Sequence, residues 1–405
     1  MAICIKEALK IIRENLEKVS FEMVPIENCG GRIVAQNIYA KHSLPNFNNS
    51  AMDGYGVKLE NTNQEIEVID EIFAGSFKQT QISTNQAIKI MTGARVPSSV
   101  EAIVPIELIE KINNKSIKLP KDIKKNQHIR FIGEDVKKDE IILKDGDELN
   151  FASVALLASQ GISYIKVYRK PKVTVFTSGE ELKNHWENIE DYQIYNSNTP
   201  SLLERVKELG CDLIFAGIAN DNIKSIKDMI KNSLNADLII TTGGVSVGDA
   251  DFTKEAFDEL NMEILFNGLS IKPGKPTIFG KINNSYILNL PGNPLATALI
   301  FEIFGTITIQ KLSGSKDIFH NYIETKIDSD FDNKKGKTTL IPGFFDGRVF
   351  SPAKKRLPGM VGVLNNCNSM MVLNKKLDYL QKDSNVKIIP INWKFFTNAY
   401  IDIFN

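Results

Sequence analysis

A glycine-rich loop in the second half of the chain has the residue types needed to bind an anion and a cation together. It runs from Thr241 to Asp251, Thr-Thr-Gly-Gly-Val-Ser-Val-Gly-Asp-Ala-Asp, between an apolar run of strand length and a helical pattern. Gly243 and Gly244 allow the main chain to approach a ligand, and N–H groups at a helix start favour negative charge. Asp249 and Asp251 offer carboxylate oxygens to a divalent cation. A plain helix cap at Asp251 would not require two adjacent glycines, so a binding site is favoured.

Two further motifs rich in proline and glycine follow this loop. Lys272 and Lys275 stand three residues apart on a rigid Lys-Pro-Gly-Lys-Pro loop, where they can flank one phosphate or another oxyanion. A solvated turn is the alternative for that loop. Pro291, Asn293 and Pro294 belong to a Pro-Gly-Asn-Pro motif that joins a strand to a helix. That junction offers a second helix N-terminus to an anion.

Two earlier segments each allow two interpretations. Ser178 and Glu181 have the spacing of a capping box, which favours a plain helix start. Glu181 also follows a strand pattern directly, and open α/β sheets bind ligands at the carboxyl ends of their strands. The loop from Asn48 to Gly56 is dense in small and polar residues, and on its own it favours a turn before a β-rich region.

The elements that position these loops change in character at Pro171. Beyond it, apolar runs of strand length alternate with helical patterns, which predicts a parallel sheet with helices on both faces. The Gly-rich and Pro-rich loops then fall at the carboxyl ends of several strands, where a nucleotide or phosphate site is expected. Neither a P-loop nor a Gly-x-Gly-x-x-Gly fingerprint is present, and no Gly-x-Ser-x-Gly elbow occurs.

Composition narrows the class of protein. The 405 residues carry 49 basic and 49 acidic side chains, without the basic excess of a nucleic-acid binder. The four cysteines and four histidines are scattered, which argues against disulfides, zinc and histidine-based metal chemistry. The charged N-terminus is unlike a signal peptide, and no apolar run suggests a membrane segment. We therefore expect a cytoplasmic protein with a small-molecule ligand, no nucleic acid and no membrane.

Seven motifs occur in an order that resembles one enzyme family, the molybdopterin molybdenumtransferases, or MoeA family, which includes the gephyrin E domain. The resemblance covers essentially the whole chain, and the combination is far more specific than any one motif. The motifs are Asn49-Ser-Ala-Met-Asp-Gly-Tyr, Met91-Thr-Gly-Ala, Gly133-Glu-Asp, Ser178-Gly-Glu-Glu-Leu, Thr242-Gly-Gly-Val-Ser-Val-Gly-Asp-Ala-Asp, Lys272-Pro-Gly-Lys-Pro and Leu290-Pro-Gly-Asn-Pro.

The resemblance implies a multidomain α/β plus β fold. The expected parts are an elongated helix-and-strand region formed by 1–42 and 129–169, and a β-rich domain inserted at 43–128. A doubly wound, molybdopterin-binding α/β domain at 170–318 and a C-terminal β-barrel at 319–405 complete the chain. The resemblance also implies a homodimer, with each site between the α/β domain of one subunit and the inserted domain of the other.

The chemistry implied by the resemblance is molybdenum cofactor biosynthesis. Such enzymes take adenylylated molybdopterin and molybdate, cleave the phosphoanhydride with magnesium, release AMP and leave molybdenum on the dithiolene sulfurs. A pyrophosphate ester needs charge neutralisation, which Mg²⁺ and lysines supply. An adenylyltransferase that supplies the substrate and chaperones of molybdoenzymes that take the product are the further partners implied.

Residue roles carry over from the matching motifs. Glu181 and Asp251 are expected to bind magnesium, with Asp249 as a third candidate. Lys272 and Lys275 are expected to hold the phosphates or molybdate. Asp53 and Thr92 are expected to act as a catalytic pair supplied by the dimer partner, and Asp135 is an acid of unknown role. The residues expected to bind the pterin are Gly243, Gly244, Ser246, Pro291, Asn293 and Pro294.

Two departures and two alternatives accompany the resemblance. Asn48 stands where the family commonly has Asp, and Leu357-Pro-Gly-Met360 replaces a Gly-Ser-Gly-like turn, which questions any ligand contact from the barrel. A molybdopterin adenylyltransferase is one alternative, but it is typically a single α/β domain, and the ~250 additional residues argue against it. A non-catalytic scaffold that retains the fold is the other. Magnesium-dependent AMP release distinguishes the enzyme from a scaffold.

Overall fold

The structure is a computed structural model that describes residues 2–113, 115–244 and 252–393. Three candidate residues of the glycine-rich loop, Ser246, Asp249 and Asp251, lie outside the described residues. Their roles therefore stay predictions.

The N-terminal segment consists of one amphipathic helix and short strands. The helix, α1, spans Ile5–Asn15, and its Ala8 and Ile12 are fully buried against the core of the α/β region. The strands that follow are β1 (Phe21–Pro25), β2 (Ile38–Tyr39) and β3 (Asn49–Ser50).

A β-rich unit comes next. Its strands are β4 (Gly54–Val57), β5 (Glu65–Ile72), β6 (Gln86–Ile90), β7 (Ala102–Pro105), β8 (Glu110–Lys111) and β9 (Ser116–Lys118). They form one sheet in the order β7-β4-β6-β5-β9-β8. Two apolar clusters stabilise it, one around Tyr55 and Val104 and the other around Ile72 and Ile88.

The chain then returns along its own N-terminal strands. The returning elements are β10 (Ile129–Arg130), β11 (Ile141–Leu143), α2 (Phe151–Ser159) and β12 (Tyr164–Tyr168). Strands β10, β11 and β12 pair antiparallel with β3, β2 and β1, respectively. Helix α2 starts with a capping box, in which Asn150 accepts hydrogen bonds from the N–H groups of Ala152 and Ser153.

The α/β region has the strand and helix alternation that the sequence predicts. Its elements are β13 (Lys172–Ser178), β14 (Leu182–Lys183), β15 (Ile194–Tyr195), α3 (Asn198–Glu208), β16 (Asp212–Ala219), α4 (Ile223–Asn232), β17 (Leu238–Thr242), α5 (Phe252–Glu259), β18 (Glu263–Asn267), β19 (Ile271–Lys272), β20 (Ile278–Ile282), β21 (Ser285–Leu290), α6 (Pro294–Ile300) and α7 (Thr306–Leu312).

The main sheet of this region has the order β16-β13-β17-β21-β20-β18. The first four strands are parallel, as predicted. The sheet departs from the predicted parallel arrangement at one edge, where β20 and β18 run antiparallel. The reason is local: only the turn at Asn283 separates β20 from β21, and a connection this short forces an antiparallel pair.

Helices cover both faces of the sheet. On one face, Val175 and Leu288 pack with residues of α1, α3, α6 and α7. On the other, Phe176 and Ile287 pack with residues of α4 and α5. Both faces of the strands are therefore apolar, and polar residues concentrate at the strand ends.

A π-helical turn at Phe301–Gly305 joins α6 and α7 into one helix, Pro294–Leu312. Among the described residues, this helix alone is long and apolar enough to cross a membrane. Its most apolar stretch, however, is 83% buried inside the protein, as expected for a core helix. Glu302 in the π turn forms an ion pair with Arg205 of α3, with Nε–Oε1 at 2.8 Å and Nη2–Oε2 at 3.0 Å.

The C-terminal region is a small closed barrel. Its elements are β22 (Ile323–Ile327), β23 (Phe331–Asp332), β24 (Thr338–Phe345), β25 (Val349–Pro352), α8 (Gly362–Asn365), β26 (Ser369–Leu373), β27 (Tyr379–Leu380) and β28 (Asn385–Pro390). Strands β24, β25, β22, β28 and β26 pair in this order, and β26 pairs back onto β24, so the five strands close a barrel as predicted. Strand β19 of the α/β region adds to the barrel beside β24.

Candidate active site

A cleft of about 630 Å³ lies at the carboxyl ends of the four parallel strands. The loops after β13, β16, β17 and β21 all contribute to its walls, as the strand-end rule for open α/β sheets predicts. Its lining residues of most interest are Ser178, Glu181, Tyr195, Asn196, Asn198, Asp221, Gly243, Gly244, Gly292, Asn293, Pro294 and Gly359.

The Gly243–Gly244 pair is fixed by conformation and by space. Both residues have positive φ, +91° and +66°, which side chains disfavour. A Cβ at Gly243 would lie 2.5 Å from the carbonyl oxygen of Ser178, and one at Gly244 would lie 1.8 Å from Thr253 Oγ1. Only glycine fits these positions, and the bare main chain therefore lines the cleft.

The Pro291–Pro294 motif begins α6 at the edge of the cleft. Asn293 and Pro294 line the cleft, whereas Pro291 is buried behind them. The N–H of Leu295 donates to the carbonyl oxygen of Pro358, at 2.9 Å, so a barrel loop occupies one donor of this helix N-terminus. The predicted anion-binding end of α6 thus has one donor fewer than a free helix start.

The barrel reaches the cleft through the same loop. Gly359 and Val361 line the cleft, and a Cβ at Gly359 would lie 3.6 Å from Asn293 Oδ1. A ligand contact from the barrel, which the departure at Leu357–Met360 questioned, stays untested. The altered turn nevertheless docks onto α6 through the main chain of Pro358, which any residue can supply.

Glu181 lies in the cleft, but no helix starts at Ser178, so the capping-box interpretation was wrong. The chain instead turns after Ser178 into β14, which pairs in parallel with β15. The N–H of Ile194 donates to the carbonyl oxygen of Glu181, at 2.8 Å, and fixes the main chain of the predicted metal ligand.

Asp221 is a second carboxylate in the cleft that the sequence interpretation missed. It stands two residues beyond the end of β16, and Asn222 beside it caps α4 by accepting from the N–H of Ser225 at 2.8 Å. The strand-end rule applied to Glu181 would have identified Asp221 as well, because both stand just beyond neighbouring parallel strands.

The lysine motif lies on the barrel side of the α/β region. Lys272 belongs to β19, opposite Thr339 of the barrel, and both Lys272 and Lys275 are exposed. Gly274 between them packs tightly, since a Cβ there would lie 2.2 Å from Ile300 Cδ1. Within the described residues, neither lysine is part of the cleft lining. Their predicted contact with phosphates or molybdate stays a prediction.

Asp53 and Thr92 form a hydrogen-bonded pair on the inserted sheet. Asp53 Oδ1 accepts from the main-chain N–H of Thr92 and from Thr92 Oγ1, each at 2.7 Å. The main-chain bond, followed by the hydroxyl bond, lowers the pKa of the Asp53 carboxyl. The structure therefore brings these two predicted residues together, but it does not place them in the cleft of their own chain.

Asn48 and Asp135 belong to the connections around the inserted sheet. Asn48 Oδ1 accepts from the N–H of Ile132, at 2.9 Å, so the amide that replaces the family's carboxylate joins two loops. The N–H of Asp135 donates to the carbonyl oxygen of Leu44, also at 2.9 Å. Both contacts are structural, and they leave a ligand role for Asp135 untested.

Comparisons with known proteins agree with this architecture. Residues 3–161 match the family described as "MoeA N-terminal region (domain I and II)", and residues 174–311 match "Probable molybdopterin binding domain". Molybdopterin molybdenumtransferase of Staphylococcus epidermidis is 33% identical over 384 residues, covering 92% of this chain and 91% of that protein. The chain belongs to the molybdopterin molybdenumtransferase family.

Two further relatives support the assignment. The Haemophilus influenzae molybdopterin molybdenumtransferase is 38% identical over 308 residues, covering 74% of this chain and 76% of that protein. The crystal structure of the MoeA protein from Pyrococcus horikoshii OT3 matches with a TM-score of 0.85 at 25% identity, covering 96% of this chain and all of that one. The chain is accordingly an enzyme of molybdenum cofactor biosynthesis.

Proposed function

We propose that the cleft binds adenylylated molybdopterin and that the enzyme inserts molybdate into it with release of AMP. The observation that carries the proposal is the composition of the cleft. Bare glycine main chain, amide side chains and two carboxylates meet at the ends of four parallel strands. That combination suits a phosphorylated ligand held with a cation.

The proposed reaction has two parts, hydrolysis of the phosphoanhydride and transfer of molybdenum to the dithiolene. One water cleaves the phosphoanhydride, giving AMP and a pterin phosphate monoester. Molybdate, as substrate, exchanges two oxide oxygens for the two dithiolene sulfurs. These oxides leave as hydroxide after taking the thiol protons. The protein's part is to orient the two substrates and to balance their negative charge.

Magnesium fits the donors that the described part of the cleft contains. Glu181 and Asp221 present carboxylate oxygens, which are the ligands hard divalent cations prefer. No cluster of three or more His, Cys, Asp or Glu side chains exists in the described residues, so phosphate oxygens, water or residues outside that part complete the coordination. When bound, magnesium supplies charge neutralisation to the phosphates.

The proposal includes a site shared between two subunits. The Asp53–Thr92 pair is exposed, is ordered by two hydrogen bonds, and is not part of the cleft lining of its own chain. Such a pair suits a role toward a second copy, whose cleft it would complete. Lys272 and Lys275, exposed beside the barrel, supply positive charge for phosphate or molybdate.

The proposed layout keeps the domain boundaries expected from the sequence, 1–42 with 129–169, 43–128, 170–318 and 319–405. Its setting is the cytoplasm, with an adenylyltransferase as the source of substrate and molybdoenzyme chaperones as recipients of product. The support for the two partners is the proposed reaction itself, which consumes an adenylylated pterin that an adenylyl transfer must supply and yields a molybdenum-loaded pterin that a further protein must accept.

AMP release from adenylylated molybdopterin tests the proposal. Purified enzyme is assayed with and without molybdate and Mg²⁺, and we expect metal-dependent release together with a molybdenum-loaded pterin. Glu181→Ala should abolish turnover, whereas Glu180→Ala, an exposed neighbour outside the cleft lining, should retain it. Tight binding without release would instead indicate a scaffold, and absence of binding would contradict the proposed substrate.

A further inference from the structure

Two buried hydroxyl groups beside the Gly243–Gly244 pair have no hydrogen-bond partner in the described part of the chain. Ser178 is 4% exposed and Thr253 is 1% exposed, and the Oγ of Ser178 and the Oγ1 of Thr253 are both unpaired. A buried hydroxyl without a partner destabilises a protein, and most native ones are paired. Two of them at one place therefore indicate a missing acceptor.

The two hydroxyls converge on the glycine pair from different elements. The position that a Cβ of Gly244 would take lies 1.8 Å from Thr253 Oγ1 and 3.0 Å from Ser178 Oγ. The corresponding position at Gly243 lies 3.3 Å from Ser178 Oγ. The two hydroxyls therefore lie close to the same point beside Gly244, but they form no hydrogen bond with each other. One acceptor oxygen could accept a hydrogen bond from both.

The two threonines that directly precede Ser178 and Gly243 in the chain have paired hydroxyls. Thr242 Oγ1 donates to Thr177 Oγ1 at 2.8 Å, and Thr177 Oγ1 donates to the carbonyl oxygen of Thr242 at 3.0 Å. Those two hydroxyls, at the ends of β13 and β17, are therefore paired. Ser178 is one residue further along β13 and lines the cleft, and its hydroxyl is unpaired.

We propose that Ser178 Oγ and Thr253 Oγ1 donate hydrogen bonds to the same phosphoryl oxygen of the substrate, beside the main chain of Gly243 and Gly244. The inference rests on the proposed function and extends it, because the family resemblance gave neither Ser178 nor Thr253 a binding role. Two hydroxyls and a glycine main chain supply hydrogen-bond donors that carry no positive charge. Such donors suit a phosphoryl oxygen whose negative charge is already balanced in part by a nearby cation.

Binding of phosphate probes tests the inference directly. Calorimetric titration of the purified full-length enzyme with AMP and with inorganic pyrophosphate, in the presence of Mg²⁺, is compared for wild type, Ser178→Ala, Thr253→Val and the double variant. Each single variant should bind at least one probe about tenfold to a hundredfold more weakly, as expected for a lost hydrogen bond to a charged group. The two losses should not add, since both hydroxyls share one oxygen.

Thr174→Val is the matched control. Thr174 is 1% exposed with an unpaired Oγ1, like the test residues, but it lies four residues before Ser178 in strand β13 and is not part of the cleft lining. Its replacement should leave probe affinity unchanged. Thr253→Ser keeps the hydroxyl and should retain near wild-type affinity, so the comparison with Thr253→Val separates loss of the hydroxyl from a general disturbance of the fold. If Ser178→Ala does not fold, the two Thr253 variants still test the inference.

Three results would overturn the inference. Wild-type affinity for both probes in Ser178→Ala and in Thr253→Val would show that the two hydroxyls do not contact a phosphoryl oxygen. A lower melting temperature without ligand, combined with unchanged affinity, would assign the hydroxyls to a permanent internal water. Weakened binding of molybdate alone would assign them to the other oxyanion. Turnover of the wild-type enzyme is measured in parallel, so that a missing activity with intact phosphate binding contradicts the proposed function and not the inference.

Discussion

Candidate residues are held in place differently in the cleft and in the Asp53–Thr92 pair. In the cleft, Gly243 and Gly244 have no room for a side chain, so steric exclusion fixes the main chain. On the inserted sheet, Asp53 is exposed, and two hydrogen bonds from one residue orient it. The cleft should therefore be sensitive to added volume, and the pair to lost donors or charge.

The largest effect should follow a single added methyl group in the cleft. Gly244→Ala requires both a left-handed alanine and the displacement of Thr253, and a shift of about 1 Å at a reacting site lowers turnover about hundredfold. Gly210→Ala is the control, because Gly210 has φ +77° but open space around it. Steady-state turnover and melting temperature separate the clash from the strain of about 1–2 kcal/mol that both variants share. Equal losses in the two variants would contradict steric exclusion.

Mixed subunits test whether the pair acts across a dimer. Asp53→Ala and Glu181→Ala should each be inactive alone, because each lacks one half of every composite site. Random mixing after mild unfolding gives mixed dimers in about half of the population, each with one intact site, so about a quarter of wild-type turnover should return. Recovery close to zero would place both residues in the same subunit's site.

A moderate effect is expected where the barrel meets the cleft. Gly359→Val adds volume beside Asn293 Oδ1 and should weaken substrate binding about tenfold through local overpacking, with little change in kcat. Gly362→Val, three residues further with open space around it, is the control for the loop itself. Comparable KM values for both variants would show that the barrel only borders the cleft.

The smallest effect concerns the pKa of Asp53. Thr92→Val removes the hydroxyl donor but keeps the main-chain N–H, so the pKa of Asp53 should rise part of the way towards its ordinary value. Thr92→Ser should leave it low. Carboxyl NMR titration measures this shift. Since a depressed pKa favours the charged form, any stabilisation from this pair is present above the ordinary pKa of Asp and is lost as pH falls through the lowered one.

The sequence predicted those features that depend on local chemistry. Gly243 and Gly244 were identifiable because two adjacent glycines after a strand have few structural explanations. The strand and helix alternation followed from short patterns, and the C-terminal barrel, though not its number of strands, followed from the family resemblance. Asp221 was predictable too, because it stands just beyond a parallel strand, although none of the seven motifs includes it.

Features that depend on distant contacts were beyond the sequence. The capping box at Ser178 failed because β14 pairs with β15 and extends the chain, a tertiary contact that overrides local spacing. The position of Lys272 beside the barrel depends on pairing with Thr339, far away in the chain. The docking of Pro358 onto Leu295 uses main-chain atoms alone, and so no residue type signals it.

Strand β19 has a consequence for how the enzyme can be divided. Because Ile271 and Lys272 pair with Thr338 and Thr339, the outermost strand of the barrel sheet comes from a chain segment that precedes α6. A truncation after α7 would expose both that strand edge and the Leu295 donor to solvent. The C-terminal region is therefore not a detachable module, and transplanting it between relatives would require moving 271–272 with it.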